Sequence, residues 1–209
     1  MFLELKRNFG QGLLEMVIAV ALVIAIVVSV LFLVNTNLTG QKESEFQIVA
    51  ANLAREGIEV VRNIRDSNWL AQINNPNIRW DEGLADAVAD DITAIIVLDR
   101  DYSDNNFRSL DFSVDNINEV NAQIYRQGGM HLQFIGPKEG MTPTVFYRLL
   151  ILESLCLNFA TGQVEIRPQT NCESGEEKIG LDIKSQVNWL HQDRVRQTIL
   201  RDRIYDWKY

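Results

Sequence analysis

The sequence has little cysteine, histidine or basic charge, and each shortage excludes a class of protein. Two cysteines in 209 residues cannot form a disulfide-rich scaffold, and with two distant histidines they form no recognisable zinc site. The 20 Lys and Arg residues against 28 Asp and Glu give a formal charge of -8. General binding to nucleic acid is therefore not expected, because the summed field repels polyanions. Since 46% of the residues are apolar, the chain is expected to fold.

Charge is absent from residues 16–34, where the only hydroxyl belongs to Ser29. As a helix this run would span about 28 Å, close to the thickness of a bilayer core. Lys6 and Arg7 precede it and the acidic bulk of the chain follows, so the positive-inside rule predicts a cytoplasmic N-terminus. A cleaved secretory signal and a buried core helix are the alternatives. The length of the run and the polar residues 35–37 after it favour a membrane anchor.

One carboxylate, on Glu15, lies immediately before this apolar run. Such a group costs about 2.5–3.5 kcal/mol at the centre of a membrane helix and less near the interface. One interpretation is a side chain that reaches the headgroups; the other is a cationic partner from another molecule or a peptide terminus. The spacing favours the second interpretation. Glu15 is the fifth residue counted from Gln11, which follows Gly10, and this spacing is part of the resemblance described next.

The stretch KRNFGQGLLEMVIAVALVIAIVV resembles the N-terminal signal and anchor of type IV pilins and type II secretion pseudopilins. The shared features are a basic leader that ends in glycine, a glutamate at the fifth mature position and an uninterrupted apolar helix. The resemblance implies that a prepilin peptidase cleaves after Gly10 and that the new terminus, Gln11, is N-methylated. It also implies that Glu15 pairs with the N-terminal amine of a neighbouring subunit. Gln11 departs from the best-known pilins, which have Phe or Met there.

Beyond the anchor the chain resumes a helical period, with apolar residues at steps of three or four up to Ile64. One continuous helix is predicted, with Gly40 and Gly57 as its weak points. The alternative is a break near residues 35–40 followed by a separate packed helix. The predicted organisation is a cytoplasmic leader (1–10), the helix (11–66, with membrane anchor 13–34 and amphipathic half 41–66) and an extracytoplasmic globular domain (67–209).

The period changes to that of β-strands at about residue 92. The run 145–155 is nearly continuous in apolar residues and suits a central strand, and the alternation over 179–189 before 194–200 predicts a hairpin. A short helix is predicted at 81–91. The other predicted strands are 92–99, 108–114, 122–127 and 130–136. The predicted fold is α+β and pilin-like, an antiparallel sheet packed on the C-terminal half of the long helix.

Both thiols, Cys156 and Cys172, follow the predicted anchor and are therefore expected outside the membrane. An oxidising exterior favours a disulfide between them over two free thiols. Closing a loop of about 15 residues would contribute about 3 kcal/mol. Many pilins close a C-terminal loop in this way, so the resemblance implies a structural role for the bridge.

No catalytic, cofactor-binding or metal-binding motif is found in the sequence. Residues Asp99–Phe107 offer oxygen ligands but lack the Gly and Glu of an EF-hand, so an ordinary acidic turn is preferred. His131 and His191 have no nucleophile at motif spacing, and residues 136–140 lack the ending of a phosphate-binding loop. We therefore expect no enzymatic activity and no cofactor.

The C-terminal tail combines basic and aromatic residues. Stacking of bases on aromatic rings beside cations is one way of holding single-stranded nucleic acid. A solvated strand edge with a core-packing tryptophan is the preferred interpretation. The residues concerned are Arg194, Arg196, Arg201, Arg203, Tyr205, Trp207, Lys208 and Tyr209.

The resemblance therefore implies a minor subunit of a type IV pilus. Segment 54–69, AREGIEVVRNIRDSNW, resembles minor pilins of the pilus-modification kind and favours a minor over a major subunit. The alternatives are a type II secretion pseudopilin, a DNA-binding tip subunit of an uptake pilus, and a single-pass anchored enzyme or receptor. The resemblance implies as partners a prepilin peptidase, other pilin subunits, an assembly ATPase and a platform protein. It also implies the cytoplasmic membrane before assembly and an extracellular filament afterwards.

Overall fold

The computed structural model describes residues 9–85, 92–98, 108–135 and 140–207. The chain has one long N-terminal α-helix followed by an antiparallel β-sheet, which confirms the predicted α+β layout. The residues divide into two compact units, Met1–Glu45 and Phe46–Tyr209. The second unit therefore contains the last part of the helix together with the whole sheet.

Helix α1 is continuous from Phe9 to Gln72. The chain has no proline before Pro76, so no turn of the helix loses a backbone hydrogen bond to a proline ring. The break considered near residues 35–40 does not occur. There the hydroxyl groups of Thr36 and Thr39 donate to carbonyl oxygens one turn earlier, at 2.9 and 3.0 Å, so these side chains are satisfied within the helix.

The helix ends at Gln72, beyond the predicted end at residue 66, because tertiary contacts hold its last turns. The side-chain amide of Asn68 donates to the carbonyl oxygens of Trp80 (3.1 Å) and Glu82 (2.8 Å). Trp69 packs against the main core. Of the helix predicted at 81–91, residues 81–85 form turns and bends, and 86–91 lie outside the described residues.

In the described part of the chain, eight strands form an antiparallel sheet around the long strand β5. Strand β5 pairs with β7 along one edge and with β3, β1 and β6 along the other. Strand β2 pairs with β1, β4 with β3, and β8 with β7. The strands are β1 (Thr93–Leu98), β2 (Arg108–Asp111), β3 (Gln123–Gln127), β4 (Met130–Leu132), β5 (Thr142–Asn158), β6 (Val164–Arg167), β7 (Glu176–His191) and β8 (Arg194–Tyr205).

Each predicted strand is confirmed, with shifted ends, whereas β6 was not predicted. The central position of β5 explains its nearly continuous apolar sequence, because both faces are covered. On one face lie the buried side chains of α1 beyond residue 46, and on the other lies segment 114–122. The main core consists of Ile58, Val60, Val61, Ile64, Trp80, Leu84, Ala94, Ile96, Leu150, Leu152, Leu181, Ile183 and Ile204.

The helix and the sheet approach each other closely at Gly57. A Cβ atom at this position would lie 2.5 Å from the Oγ atom of Ser185 and 2.8 Å from the Cδ2 atom of Leu150. The sequence marks Gly57 as a weak point of an isolated helix, but the packing of α1 on β5 and β7 requires a residue without a side chain there.

We predict that Gly57→Ala lowers the free energy of unfolding by about 1–3 kcal/mol, because the added methyl group overpacks the interface. Gly40→Ala is the matched control. No atom lies within 4 Å of a Cβ at Gly40, so this change should cost nothing and favours the helix by up to about 1 kcal/mol. Urea unfolding of the full chain in detergent, followed by tryptophan fluorescence, measures both. Equal stability of wild type and Gly57→Ala would contradict the close approach.

Candidate functional site

The apolar surface of the first part of α1 is the largest candidate functional surface. Its large side chains from Leu13 to Val34 are all strongly exposed, from 46% for Val34 to 75% for Phe32. The most apolar stretch has a mean hydropathy of 3.4 and no buried residue. An apolar surface of this extent requires a non-aqueous or protein environment. By length and composition, α1 can cross a membrane once.

Glu15 lies within this exposed apolar surface. Its chain neighbours Leu14 and Met16 are 63% and 69% exposed. The residues one turn away along the helix are Gln11, Gly12, Ile18 and Ala19, and none of them carries a charged side chain. The side chains within one turn of Glu15 therefore provide no cation for its carboxylate.

The predicted processing residues lie at the very start of the helix. Gly10 and Gln11 belong to the first turn of α1, and the basic residues Lys6 and Arg7 lie outside the described residues.

Cys156 and Cys172 form a disulfide, with Cα atoms 5.7 Å apart, which confirms the predicted bridge. The bridge closes the loop that contains β6, and β6 in turn pairs with β5. Among the residues that the structure describes, these sulfurs and Glu176 form the one group with metal-ligand spacing. Because both sulfurs are in the bridge, neither is a thiolate available to a metal.

Polar contacts fasten the disulfide loop to the rest of the second unit. The carbonyl oxygen of Thr170 accepts hydrogen bonds from Ser154 Oγ and Lys178 Nζ, both at 2.8 Å. Lys178 also contacts Asp81 at 2.7 Å, and Asp81 accepts a hydrogen bond from Arg79 at 2.9 Å. The Asp81 side chain is only 2% exposed. It therefore connects the segment after α1 with β7 and the disulfide loop.

Burial alone would raise the pKa of Asp81, but the hydrogen bonds and positive charges of Arg79 and Lys178 outweigh it and lower that pKa below its ordinary value. The carboxylate is therefore stabilised in its charged form in the folded state. This stabilisation is fully present above the unfolded-state pKa of about 3.9, and it is lost as the pH falls through the lower folded-state pKa.

We predict that Asp81→Asn lowers the free energy of unfolding by about 3 kcal/mol at pH 7, because Lys178 stays buried without its counter-charge. The difference from wild type should shrink as the pH is lowered below about 4. Urea unfolding across a pH series measures it. Glu82→Gln, an exposed neighbour, is the control and should change stability by less than about 0.5 kcal/mol. A deficit that is the same at pH 3 and pH 7 would contradict this assignment.

Arg148 in β5 is a buried cation that the sequence patterns did not indicate. Its side chain is 2% exposed and contacts a carboxylate oxygen of Glu56 at 2.9 Å. It also donates to Gln133 Oε1 at 2.9 Å and to the carbonyl oxygen of Leu53 at 3.2 Å. These bonds join α1, β5 and the segment after β4. The signal in the sequence that could have indicated this buried cation is that Arg148 is the one basic residue in the apolar run 145–155.

The two histidines lie apart in the second unit. His131 in β4 borders an open groove of about 380 Å³ that α1 residues, including Glu56, also line. Burial, together with the positive charges of Arg126 and Arg148, lowers the pKa of His131. His191 at the end of β7 lies edge-to-face with Phe46, with ring centroids 5.5 Å apart.

The basic residues of the C-terminal tail are distributed along β8. Arg201 and Arg203 both contact the fully buried carboxylate of Asp182, at 2.6 and 2.9 Å. On the other sheet face, Asp202 pairs with Arg62 of α1 at 2.5 Å. Two of the four arginines of β8 therefore share one internal counter-charge, and the aspartate of β8 is itself paired with a cation of α1.

A tryptophan of the tail also contacts α1. Trp207 lies edge-to-face with Trp69, with ring centroids 5.1 Å apart, and the Arg65 guanidinium lies over both rings. Lys208 and Tyr209 lie outside the described residues. The same holds for the acidic turn Asp99–Phe107 and for residues 136–139, so both motifs are known from the sequence alone.

Comparison of the chain with models of protein families, with curated proteins and with solved structures gives no match in any of the three. The structure itself establishes an α+β layout, one helix able to span a membrane and one disulfide. The function is therefore argued from these features and from the N-terminal resemblance.

Proposed function

We propose that the protein is a prepilin, a minor structural subunit of a type IV pilus whose own mechanism is polymerisation. The observation that carries the proposal is Glu15, a carboxylate on an exposed apolar helix with no cationic side chain within one turn. A plain membrane anchor has no need of this residue. In a bundle of such helices, it provides a specific position for a positively charged partner.

Removal of residues 1–10 by a prepilin peptidase would create that partner. The new terminus at Gln11 carries a charged amine, with or without one methyl group. Paired with the amine of a neighbouring subunit, Glu15 would offset the desolvation of both charges, whereas either charge alone would be costly. Apolar helices pack with little register of their own, so this pair would fix the stagger between subunits.

The second unit, Phe46–Tyr209, would lie outside the membrane and form the surface of the filament. The disulfide supports this location, because such bridges persist in oxidising compartments. The assembly ATPase and the platform protein would extract the processed subunit from the cytoplasmic membrane. The resemblance of segment 54–69 to minor pilins favours a minor over a major pilus subunit, and a type II secretion pseudopilin is the main alternative.

The DNA-binding alternative has less support. Arg201 and Arg203 share Asp182, and Trp207 is held against Trp69, so the tail is not a continuous track of cations and aromatic platforms. The overall charge of -8 also opposes binding of a polyanion.

We predict that Glu15→Ala reduces incorporation into filaments by about tenfold or more, because the loss of one partner from a buried charge pair costs several kcal/mol. The full-length precursor is expressed with a prepilin peptidase and a pilus assembly system, and sheared filaments are quantified by immunoblot. Leader cleavage should be unchanged, since Gly10 is kept. Glu45→Gln, an exposed position farther along α1, is the matched control and should assemble normally. Wild-type incorporation of Glu15→Ala would refute the pairing.

A further inference from the structure

Strand β8 forms an edge of the sheet, since in the described part of the chain it pairs only with β7. The hairpin between them has two central residues, Gln192 and Asp193, with φ values of 50° and 57°. Positive φ at both positions is the conformation of a type I′ turn. The flanking residues of such a turn are hydrogen-bonded to each other, and every second pair along the ladder repeats this pattern.

The pairing of His191 with Arg194 therefore determines which N–H and C=O groups of β8 form hydrogen bonds with β7. The even-numbered residues of β8 bond to β7, and the amide of Asp206 continues the pattern by donating to the carbonyl oxygen of Ile179 at 2.9 Å. The odd-numbered residues direct their N–H and C=O groups away from the sheet. These outward residues are Val195, Gln197, Ile199, Arg201, Arg203 and Tyr205, and all are exposed.

The regular spacing of these outward N–H and C=O groups determines which kind of molecule can form hydrogen bonds with all of them. An extended polypeptide laid alongside at about 4.8 Å presents complementary groups at the matching spacing. Long open edges are therefore templates for an added strand. The twelve residues of β8 make this edge longer than most strands.

The side chains beside the edge indicate that the added strand is partly apolar. Leu200 and Ile204 of β8 pack toward α1, so the odd-numbered side chains lie on the opposite face of the sheet. There Val195 is 70% and Ile199 50% exposed, and Leu190, directly opposite Val195, is 53% exposed. A neighbouring strand with apolar residues at alternate positions would cover Val195 and Ile199.

The charges on β8 indicate that the added strand is acidic. The strand carries four arginines and one aspartate, in a chain whose overall charge is -8. Arg201 and Arg203 are each about half exposed and share the single carboxylate of Asp182, so positive charge is in excess there. Like charges opposite each other in adjacent strands are destabilising. A second copy of β8, with the same four arginines, is therefore a poorer occupant than an acidic strand.

We propose that the β8 edge binds an extended acidic segment of a partner protein by strand addition. On the sheet face away from α1, apolar side chains of the segment cover Val195 and Ile199, and carboxylates farther along the same face pair with Arg201 and Arg203. The site lies entirely within the second unit, so the proposal does not depend on filament assembly.

Amide hydrogen exchange of the full chain in detergent tests the proposal directly. The probe is an end-blocked peptide of about nine residues in which every second residue is serine. The residues between the serines are valines in the half that lies beside Val195 and Ile199 and glutamates in the half that lies beside Arg201 and Arg203. It should slow exchange by about tenfold or more at the outward amides of residues 195–203. The even-numbered amides of β8 are an internal control, because β7 already protects them. The matched valine–lysine peptide should have no effect. Equal protection by both peptides, or none at the outward amides, would overturn the proposal.

A backbone variant provides an independent test. Gln197→Pro removes one outward N–H without touching the ladder to β7, and proline is accepted on edge strands. The dissociation constant of the valine–glutamate peptide, measured by fluorescence anisotropy, should rise about tenfold or more with Gln197→Pro, because the missing donor leaves a peptide acceptor unpaired. It should not change with Gln197→Ala, which keeps the N–H group. Unchanged binding by Gln197→Pro would overturn the proposal, as would self-association that protects the same outward amides without peptide.

Discussion

The burial of α1 against the sheet is the interaction on which the rest of this structure depends. From residue 46 onward, one apolar face of the helix is buried against the sheet, and Gly57 allows the two elements to approach closely. Between residues 13 and 34 the same helix has exposed apolar side chains on every side, and no other described residue covers them. One continuous element is thus suited to two environments, an aqueous unit with its own core and an apolar phase or helix bundle.

Several buried charges join different elements of the second unit. Arg148 links β5 to α1 through Glu56, and Asp81 links the segment after α1 to β7 through Lys178. Asp182 holds two arginines of β8 against β7. Because removing one partner of such a pair is costly, these contacts restrict how the elements can be arranged. They also explain why an acidic chain keeps its arginines on the sheet, where they act as counter-charges.

The sequence predicted the elements well, since periodicity is a local property. The steps of three and four along α1, the apolar run of β5 and the alternation in β7 each correspond to an observed element. Features that depend on tertiary contacts were missed. Gly57 appeared as a weakness of the helix, the extension to Gln72 depends on Asn68 and Trp69, and Arg148 was hidden in an apolar run. The short strand β6 has no pattern of its own and exists because the disulfide loop places it beside β5.

For the candidate site, the sequence identified Glu15, both cysteines and a solvated strand edge in the tail, but not which backbone groups of that edge are open. The two-residue turn between β7 and β8 sets which N–H and C=O groups of β8 point outward, and only the structure reveals that turn. Whether the chain is a prepilin is tested most directly by mass spectrometry of its N-terminal peptide after co-expression with a prepilin peptidase. A prepilin is expected to give a terminus at Gln11, with one methyl group or none. A terminus that remains at Met1 would contradict it and leave a membrane-anchored α+β protein of another kind.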